Sequence, residues 1–169
     1  GYIGLEMSAV WNRLGSKVTV VEFLDRILPG MDTEIAKKFK IILEKQGINF
    51  KLNTAIKNAS SNKDGVSIVA TDLIKKNNIT LSSDVVLLAT GRIPNTKGLG
   101  LEKLGVILNE KGQIKVDEDF ETNIPGIFAI GDVIPGPMLA HKAEEDGVAA
   151  VEIMAGLAGH VDYNLVPGI

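Results

Sequence analysis

The sequence contains no cysteine, which excludes a disulfide scaffold, a thiolate metal site and cysteine-based catalysis within its 169 residues. Histidine occurs only twice, as His141 and His160, and this scarcity argues against a metal site built on imidazole ligands. No apolar run approaches the roughly 20 residues of a membrane-spanning helix, so we expect no membrane association. The net charge of −3 lacks the positive excess that is typical of a nucleic-acid-binding surface.

What remains is the composition of an ordinary soluble globular protein, with 45% hydrophobic and 23% charged residues. The length is about that of one domain, which is enough to bury a hydrophobic core. Neither internal repeats nor low-complexity tracts are present. Hydrophobic patterns and glycine-containing motifs therefore carry the information about fold and function.

The first half of the sequence alternates helical and extended patterns. Apolar residues recur at helical spacing and predict a first helix that ends at Gly15, with an apolar face made of Ile3, Met7, Val10 and Leu14. A β-branched run at 17–22 predicts a buried strand. A second helix is predicted over 32–46, capped by Asp32 or Thr33 and ended by Gly47. Its predicted apolar face is Ile35, Phe39, Ile42 and Leu43. A strand over 48–52 follows it.

Three short β-like runs follow and predict an antiparallel meander. The runs lie at 55–59, 66–73 and 79–81, with Asp64-Gly65 as a hairpin turn signal. The apolar run 84–90 predicts a strand covered on both faces. This order is typical of an α/β, doubly wound, Rossmann-like domain with an inserted β-meander.

The second half is rich in loops. Short β-like stretches lie at 106–108 and 113–116, a strand is predicted at 127–130, and a helix rich in small residues at 139–158. We therefore expect a dinucleotide-binding domain over 1–92, a central segment over 93–159, and the start of a linker over 160–169.

Gly1-x-x-Gly4 at the head of the first helix matches the second half of a G-x-G-x-x-G phosphate loop. A residue without Cβ lets the backbone approach a pyrophosphate, whose charge the free N–H groups and the helix dipole then bind. The expected first strand and first glycine are missing, which indicates an internal piece of a larger enzyme. On the half-motif alone, a helix that follows a glycine turn explains the pattern equally well.

Glu22 ends the next predicted strand, 18 positions after Gly4. An acid about 20 residues after the loop binds the adenosine ribose in dinucleotide-binding folds, and a carboxylate there favours NAD over NADP. The alternative is a surface glutamate at a strand end. Glu6 is placed in the first helical turn, where it complements the helix dipole or contacts the nicotinamide; periodicity favours the first interpretation.

A second candidate site lies around Gly131-Asp132 and Met138 to His141. A carboxylate after a strand can bind polyol hydroxyls, although an Asx turn explains it as well. The free N–H groups at the start of the helix that follows could face an electron-rich ring. A lone His141 is more often structural than catalytic, and the acidic run 144–146 is expected to be a solvated helix face.

Several separated segments, in this order, resemble the flavin-dependent pyridine nucleotide–disulfide oxidoreductases. They are Gly1-Tyr-Ile-Gly-Leu-Glu6, Val20-Val-Glu-Phe23, Ala89-Thr-Gly-Arg-Ile-Pro-Asn95, Ala129-Ile-Gly-Asp132 and Gly136-Pro-Met-Leu-Ala-His-Lys-Ala-Glu144, together with Glu44-Lys-Gln-Gly47. The resemblance covers essentially the whole chain.

The resemblance implies two cofactors and a role for each matching residue. For NAD it implies the nucleotide segment Gly1, Tyr2, Ile3, Gly4, Leu5 and Glu6, the ribose ligand Glu22, an adenine contact at Ile56 and the pocket glycine Gly91. For FAD it implies Asp132 on the ribityl chain and the flavin-facing backbone of Met138, Leu139, Ala140 and His141. It implies no catalytic residue in this chain, and His141 is not the catalytic base.

The resemblance also implies the whole enzyme's activity. Electrons would pass from dihydrolipoamide to a redox-active disulfide, then to FAD and NAD. The disulfide domain and the interface domain with its His-Glu base pair would lie outside this chain, so we expect the isolated chain to lack this activity. Implied partners are the dihydrolipoyl domain of a 2-oxoacid dehydrogenase or glycine cleavage complex and a second copy of the parent enzyme. The implied location is the bacterial cytoplasm or the mitochondrial matrix.

Three other interpretations stay open at this point. A related mercuric or glutathione-type reductase or an NADH oxidase would share the motifs, although Glu22 argues against the NADP-linked members. A nucleotide-binding module without chemistry would need a complete phosphate loop. A structural piece that binds nothing by itself is the third, because a missing central strand would expose hydrogen-bonding edges.

Overall fold

The computed structural model describes residues 1–168, which form two compact units. The first unit is Gly1–Gly91, and the second begins at Arg92. Each unit has a hydrophobic core of its own. No helix within the described 168 residues is long and apolar enough to cross a membrane.

The first unit begins with an alternation of helices and strands, as predicted. The elements are α1 (Tyr2–Arg13), β1 (Thr19–Val21), α2 (Thr33–Lys45) and β2 (Asn49–Lys51). β1 and β2 pair in parallel, with Thr19 opposite Asn49. A parallel pair needs a crossover connection, which α2 supplies. Its core consists of Leu5, Ile27, Ala36, Leu43 and Ile48.

The predicted helix ends of this unit are confirmed. The Asp32 side chain accepts hydrogen bonds from the backbone N–H groups of Glu34 at 2.9 Å and Ile35 at 3.0 Å, so Asp32 is the N-cap of α2. α1 and α2 are followed within two residues by Gly15 and Gly47, both in left-handed backbone conformation.

The predicted apolar faces of the two helices are largely wrong. α1 buries Leu5 and Ser8 instead, while Leu14 is 78% exposed. α2 buries Ala36 and Leu43, of which only Leu43 was predicted. A 3.6-residue period identifies apolar stripes, but it does not say which stripe faces a neighbour when small residues such as Ala36 and Ser8 allow the closer approach.

The predicted meander is confirmed as three antiparallel strands, β3 (Thr54–Asn62), β4 (Gly65–Asp72) and β5 (Asn77–Ser83). Asn62 pairs with Gly65, so the turn residues are Lys63 and Asp64, one position earlier than predicted. The Asn62 side chain accepts a hydrogen bond from the Asp64 N–H at 2.8 Å. This local bond favours the shifted turn, because it offers the backbone an Asx-type closure.

The predicted strand at 84–90 is not formed. Among residues 1–168, this segment has no paired strand, and its apolar side chains are exposed, Val85 to 76% and Leu88 to 78%. An apolar run specifies burial, whereas a strand also needs a neighbouring backbone to accept its hydrogen bonds. Within the described residues, the segment shows neither the predicted burial nor the predicted pairing.

The second unit contains α3 (Leu101–Leu104), a 3-10 turn at Gly131–Val133 and α4 (Ala140–Met154). The predicted β-like stretches appear as isolated bridges, Leu108–Ile114 and Val116–Thr122. The strand predicted at 127–130 is wrong, since only Phe128 forms a bridge.

α4 begins one residue after the predicted start and ends four residues before the predicted end at 158. Gly156 follows α4 in left-handed backbone conformation, and a glycine of this kind terminates a helix. The core of the second unit consists of Leu101, Val106, Ile114, Phe120, Ala129, Ile134, Ala149 and Ala150.

Candidate functional site

The N-terminus of α1 has the features of an anion-binding site. Gly1 is the N-cap residue, no side chain caps the helix, and the first intrahelical bond runs from Leu5 N–H to Gly1 C=O at 3.2 Å. The N–H groups of the residues before Leu5 have no acceptor within the helix. Together with the positive end of the helix dipole, they favour a bound anion.

Gly4 faces the apolar segment that follows the meander. A Cβ on Gly4 would lie 3.4 Å from the Ala89 Cβ, which is ordinary van der Waals contact. The glycine therefore allows α1 to lie close to this segment, but the packing alone does not demand a glycine there.

Glu22 lies beside the glycine loop, at the residue that follows β1. Its Oε2 is 3.8 Å from the Gly1 nitrogen, and its Oε1 accepts a hydrogen bond from the Leu24 N–H at 3.1 Å. Its own N–H donates to the Lys51 C=O at 2.9 Å, which continues the β1–β2 ladder. The fold thus brings together the two residues that the sequence singled out 21 positions apart, a helix N-terminus and a carboxylate.

The other residues predicted for this site are less closely tied to it. Glu6 is exposed in the second turn of α1 rather than the first, so its predicted complement to the helix dipole is wrong. Ile56 is half exposed on β3, and Gly91 is exposed with φ +112°. Within the described residues, no hydrogen bond or ion pair joins Ile56 or Gly91 to Gly1 or Glu22.

The second candidate site centres on Asp132 in the 3-10 turn. Asp132 Oδ2 accepts a hydrogen bond from Arg92 Nη2 at 3.0 Å, and both side chains are partly exposed. The carboxylate is therefore oriented by one cation and still reachable from solvent. A carboxylate in this state can accept hydrogen bonds from ligand hydroxyl groups.

The N-terminus of α4 follows within the same unit. Leu139 is the N-cap residue in an extended conformation, and no side chain caps the helix. Met138 and Leu139 are half-buried, Ala140 is exposed, and His141 Nε2 lies 3.1 Å from the Pro167 carbonyl oxygen. With its proton on Nε2, His141 donates to that carbonyl, so the imidazole has a structural partner.

Sequence reasoning missed the most buried polar group of the second unit. Asp146 was expected on a solvated face, but it is fully buried and pairs with the equally buried Lys142, with Nζ and Oδ2 2.7 Å apart. Glu144 and Glu145 are exposed, as predicted. The i,i+4 spacing of Lys142 and Asp146 is that of an ordinary surface pair on a helix, so it does not indicate their burial.

Both sites offer groups that suit ligand binding. The sequence has no cysteine, and among residues 1–168 no three acidic or histidine side chains cluster as metal ligands. The uncapped helix ends suit a phosphate or another electron-rich group, and the two carboxylates suit hydroxyl groups. The donor sets thus fit the phosphate and polyol parts of dinucleotides.

Comparison with known proteins agrees with this chemistry. The model of the pyridine nucleotide-disulphide oxidoreductase family matches residues 1–147. The chain is 55% identical over its whole length to the mitochondrial dihydrolipoyl dehydrogenase of Pisum sativum and 53% identical to that of Homo sapiens. It spans about a third of the length of these relatives, 34% in both cases.

A solved structure shows the same fold. The whole chain superposes on 37% of a HOCl-induced flavoprotein disulfide reductase from Escherichia coli, a mutant in complex with Cu(II), with a TM-score of 0.87 and 29% identity. The predicted Rossmann-like α/β class is thereby confirmed. The chain belongs to the pyridine nucleotide-disulphide oxidoreductase family.

Proposed function

We propose that the first unit binds NAD through the N-terminus of α1 and Glu22. The observation that carries the proposal is the Glu22 carboxylate, which follows β1, the strand that α1 contacts, together with the N-terminus of α1, which has no side-chain cap among the described residues. A pyrophosphate at the helix end leaves the adenosine ribose next to the carboxylate, which accepts hydrogen bonds from its two hydroxyl groups. A 2′-phosphate would meet the same carboxylate and be repelled.

The proposed NAD site includes Gly1 to Glu6 at the loop and Glu22 at the ribose. Ile56 is assigned to the adenine and Gly91 to the pocket wall, on the family resemblance. This assigns residues 1–92 to NAD binding.

We assign a part of an FAD site to residues 93–159, with 160–169 as the start of a linker. Asp132 would bind the ribityl hydroxyls, and the backbone of Met138 to His141 would face the flavin ring. The donor set fits, since Asp132 is reachable and the α4 N-terminus is uncapped. When bound, FAD supplies the electron transfer between a dithiol–disulfide pair and the nicotinamide.

The whole enzyme that these parts fit best is a dihydrolipoyl dehydrogenase, which oxidises dihydrolipoamide and reduces NAD. The identity of more than 50% to mitochondrial dihydrolipoyl dehydrogenases supports this. The proposed partners follow from that activity: the lipoyl-bearing domain of a 2-oxoacid dehydrogenase or glycine cleavage complex, and a second copy of the enzyme. The mitochondrial matrix is the proposed location.

The experiment that tests the NAD site compares NAD and NADP binding by isothermal titration to the whole enzyme that carries this chain. We expect NAD to bind more tightly than NADP, and Glu22→Gln to weaken NAD and reduce the preference. A hydrogen bond to a charged group is worth about 1.5–3 kcal/mol, so the loss for NAD should be about ten- to a hundredfold.

Glu34→Gln is the matched control, because Glu34 is an exposed glutamate of the same unit. It should leave both affinities unchanged. Unaltered NAD affinity in Glu22→Gln, or a preference for NADP in the unsubstituted enzyme, would refute the proposed site.

A further inference from the structure

The second unit buries a complete ion pair that the proposed chemistry does not use. Lys142 and Asp146 lie on successive turns of α4, and neither side chain is accessible to solvent. Removing two charges from water is costly, and their mutual attraction offsets that cost only when further hydrogen bonds satisfy them. The further hydrogen-bond partners of Lys142 and Asp146 therefore indicate the role of the ion pair.

The further partners are the two backbone polar groups of Gly131. Asp146 Oδ2 accepts a hydrogen bond from the Gly131 N–H at 3.0 Å, and Lys142 Nζ donates to the Gly131 C=O at 3.2 Å. Gly131 has φ +71°, and a Cβ on it would lie 3.0 Å from the Ala143 Cβ. The ion pair thus holds one residue of the 3-10 turn against α4, in a conformation and at a distance that favour glycine.

Tyr163 completes the cluster from the C-terminal part of the chain. Its hydroxyl donates to Asp146 Oδ1 at 2.8 Å, and its ring centroid lies 5.4 Å from Lys142 Nζ. Burial raises the pKa of Tyr163 well above its usual range, and the hydrogen bond to Asp146 adds to the shift. The phenol therefore stays protonated at neutral pH and remains a donor to the buried carboxylate.

The Lys142 side chain also passes along a second turn. A Cβ on Gly136 would lie 2.9 Å from Lys142 Cε, so the aliphatic part of Lys142 occupies the space that any larger residue would need. Gly136 opens the segment that leads to Met138 and the start of α4. Lys142 consequently touches both stretches of the proposed FAD site, the turn of Asp132 and the turn before α4.

We propose that Lys142, Asp146 and Tyr163 are positioning residues for the flavin site, which lock Gly131 and thereby set the place of the Asp132 carboxylate relative to the N-terminus of α4. This inference rests on the proposed function. Replacing a buried ion pair with apolar residues of similar volume is often neutral or stabilising. A pair that is kept for stability alone would thus be dispensable, whereas a pair that fixes a ligand-binding backbone would not.

The decisive variant is the double substitution Lys142→Met with Asp146→Leu, in the whole enzyme that carries this chain. It removes both charges together and frees both polar groups of Gly131. We expect a moderate fall in the urea midpoint of the flavin-free protein, because the buried N–H and C=O groups of Gly131 lose these partners. FAD affinity should fall tenfold or more, the visible circular dichroism of the bound flavin should change, and amide hydrogen exchange at Gly131 and Asp132 should accelerate.

The matched control is Lys40→Met with Glu44→Leu, a partly exposed pair of the same spacing on α2. It should alter none of these properties. If the double variant of the buried pair fails to fold, Tyr163→Phe tests the positioning role instead, since it removes only one hydroxyl group. A several-fold faster FAD release with a changed flavin spectrum is then expected.

Two outcomes overturn the inference, and they are distinguishable. An unsubstituted enzyme that binds no FAD refutes the proposed function, and the positioning role falls with it. An enzyme that binds FAD, while Tyr163→Phe and the folded double variant of the buried pair show unchanged affinity, spectrum and exchange, refutes the positioning role alone.

Discussion

The two candidate carboxylates are held in different ways. In the first unit, Glu22 is oriented by nearby backbone. The Leu24 N–H donates to its side chain, and its own N–H donates to the Lys51 C=O at the end of the β1–β2 ladder. In the second unit, Asp132 follows a residue whose backbone is fixed by a buried ion pair on another element. The first arrangement uses groups that every chain has. The second depends on three particular side chains, Lys142, Asp146 and Tyr163.

This difference predicts how each site responds to substitution. An arrangement made of strand ladder and helix end tolerates changes of exposed side chains, because no charge is buried in it. An arrangement built on a buried ion pair is sensitive, because removal of either partner leaves an uncompensated charge.

Lys142→Ala should destabilise the protein far more than Lys40→Ala. Both lysines pair with an acid four residues later, but only the pair with Asp146 is buried. Breaking a buried pair costs about 3–5 kcal/mol, whereas an exposed pair contributes less than about 1 kcal/mol. Urea unfolding of the two variants measures the difference. Equal losses of stability in the two variants would contradict the greater sensitivity of the buried ion pair.

Gly131→Ala should have the next largest effect. An alanine at φ +71° costs about 1–2 kcal/mol, and the 3.0 Å approach to the Ala143 Cβ adds an overpacking cost of about 1–3 kcal/mol. Gly98→Ala is the control, since Gly98 also has positive φ but open space around it. It should show the conformational cost alone in thermal unfolding. A Gly131→Ala variant no less stable than Gly98→Ala would show that the turn can move away from α4.

Much of the first unit could be predicted from the sequence, because its signals are local. The Asp32 cap, the meander and the position of Glu22 after β1 are each specified by residues within a few positions of one another or by a fixed motif spacing. The strand at 84–90 failed for the opposite reason, since its pairing depends on another backbone. The helix faces failed because periodicity does not identify the neighbour.

The key contacts of the second unit could not be predicted in the same way. Lys142 and Asp146 have the spacing of an ordinary exposed helix pair, and their burial depends on Gly131 and Tyr163, 11 and 17 residues away from them. Charged residues are almost never fully buried unless paired, so the solvated face was the natural expectation. Only the three-dimensional arrangement shows that Gly131 supplies the missing partners.

Gly4→Ala should change stability in the opposite direction from Gly131→Ala. Gly4 lies within α1, and its Cβ would meet Ala89 at ordinary contact distance. Alanine is more favourable than glycine in a helix by up to about 1 kcal/mol, so a small gain is expected. Thermal unfolding of the variant checks the sign. A clear loss of stability would mean that α1 and the 84–90 segment pack more tightly than the 3.4 Å distance suggests.

The smallest effect is expected at Asp72, which tests whether local backbone donors are enough to hold a carboxylate in the first unit. Asp72 Oδ1 accepts hydrogen bonds from the N–H groups of Lys75 at 2.9 Å and Ile74 at 3.0 Å. These bonds, that of Lys75 first, hold the pKa of Asp72 below its ordinary value of 3.8. The stabilisation by the ionised side chain is therefore complete above that value and is lost as the pH falls through the lower folded value.

The measurement is the difference in urea midpoint between the unsubstituted protein and Asp72→Asn, followed from pH 7 down to pH 3. Every other carboxylate titrates in both proteins, so the difference isolates Asp72. We expect a small advantage of the unsubstituted protein, constant at neutral pH and shrinking below the ordinary value of 3.8. An advantage that grows on acidification would mean that the loop N–H groups do not hold the carboxylate. In that case, the first unit would need side-chain partners for its acids just as the second unit does.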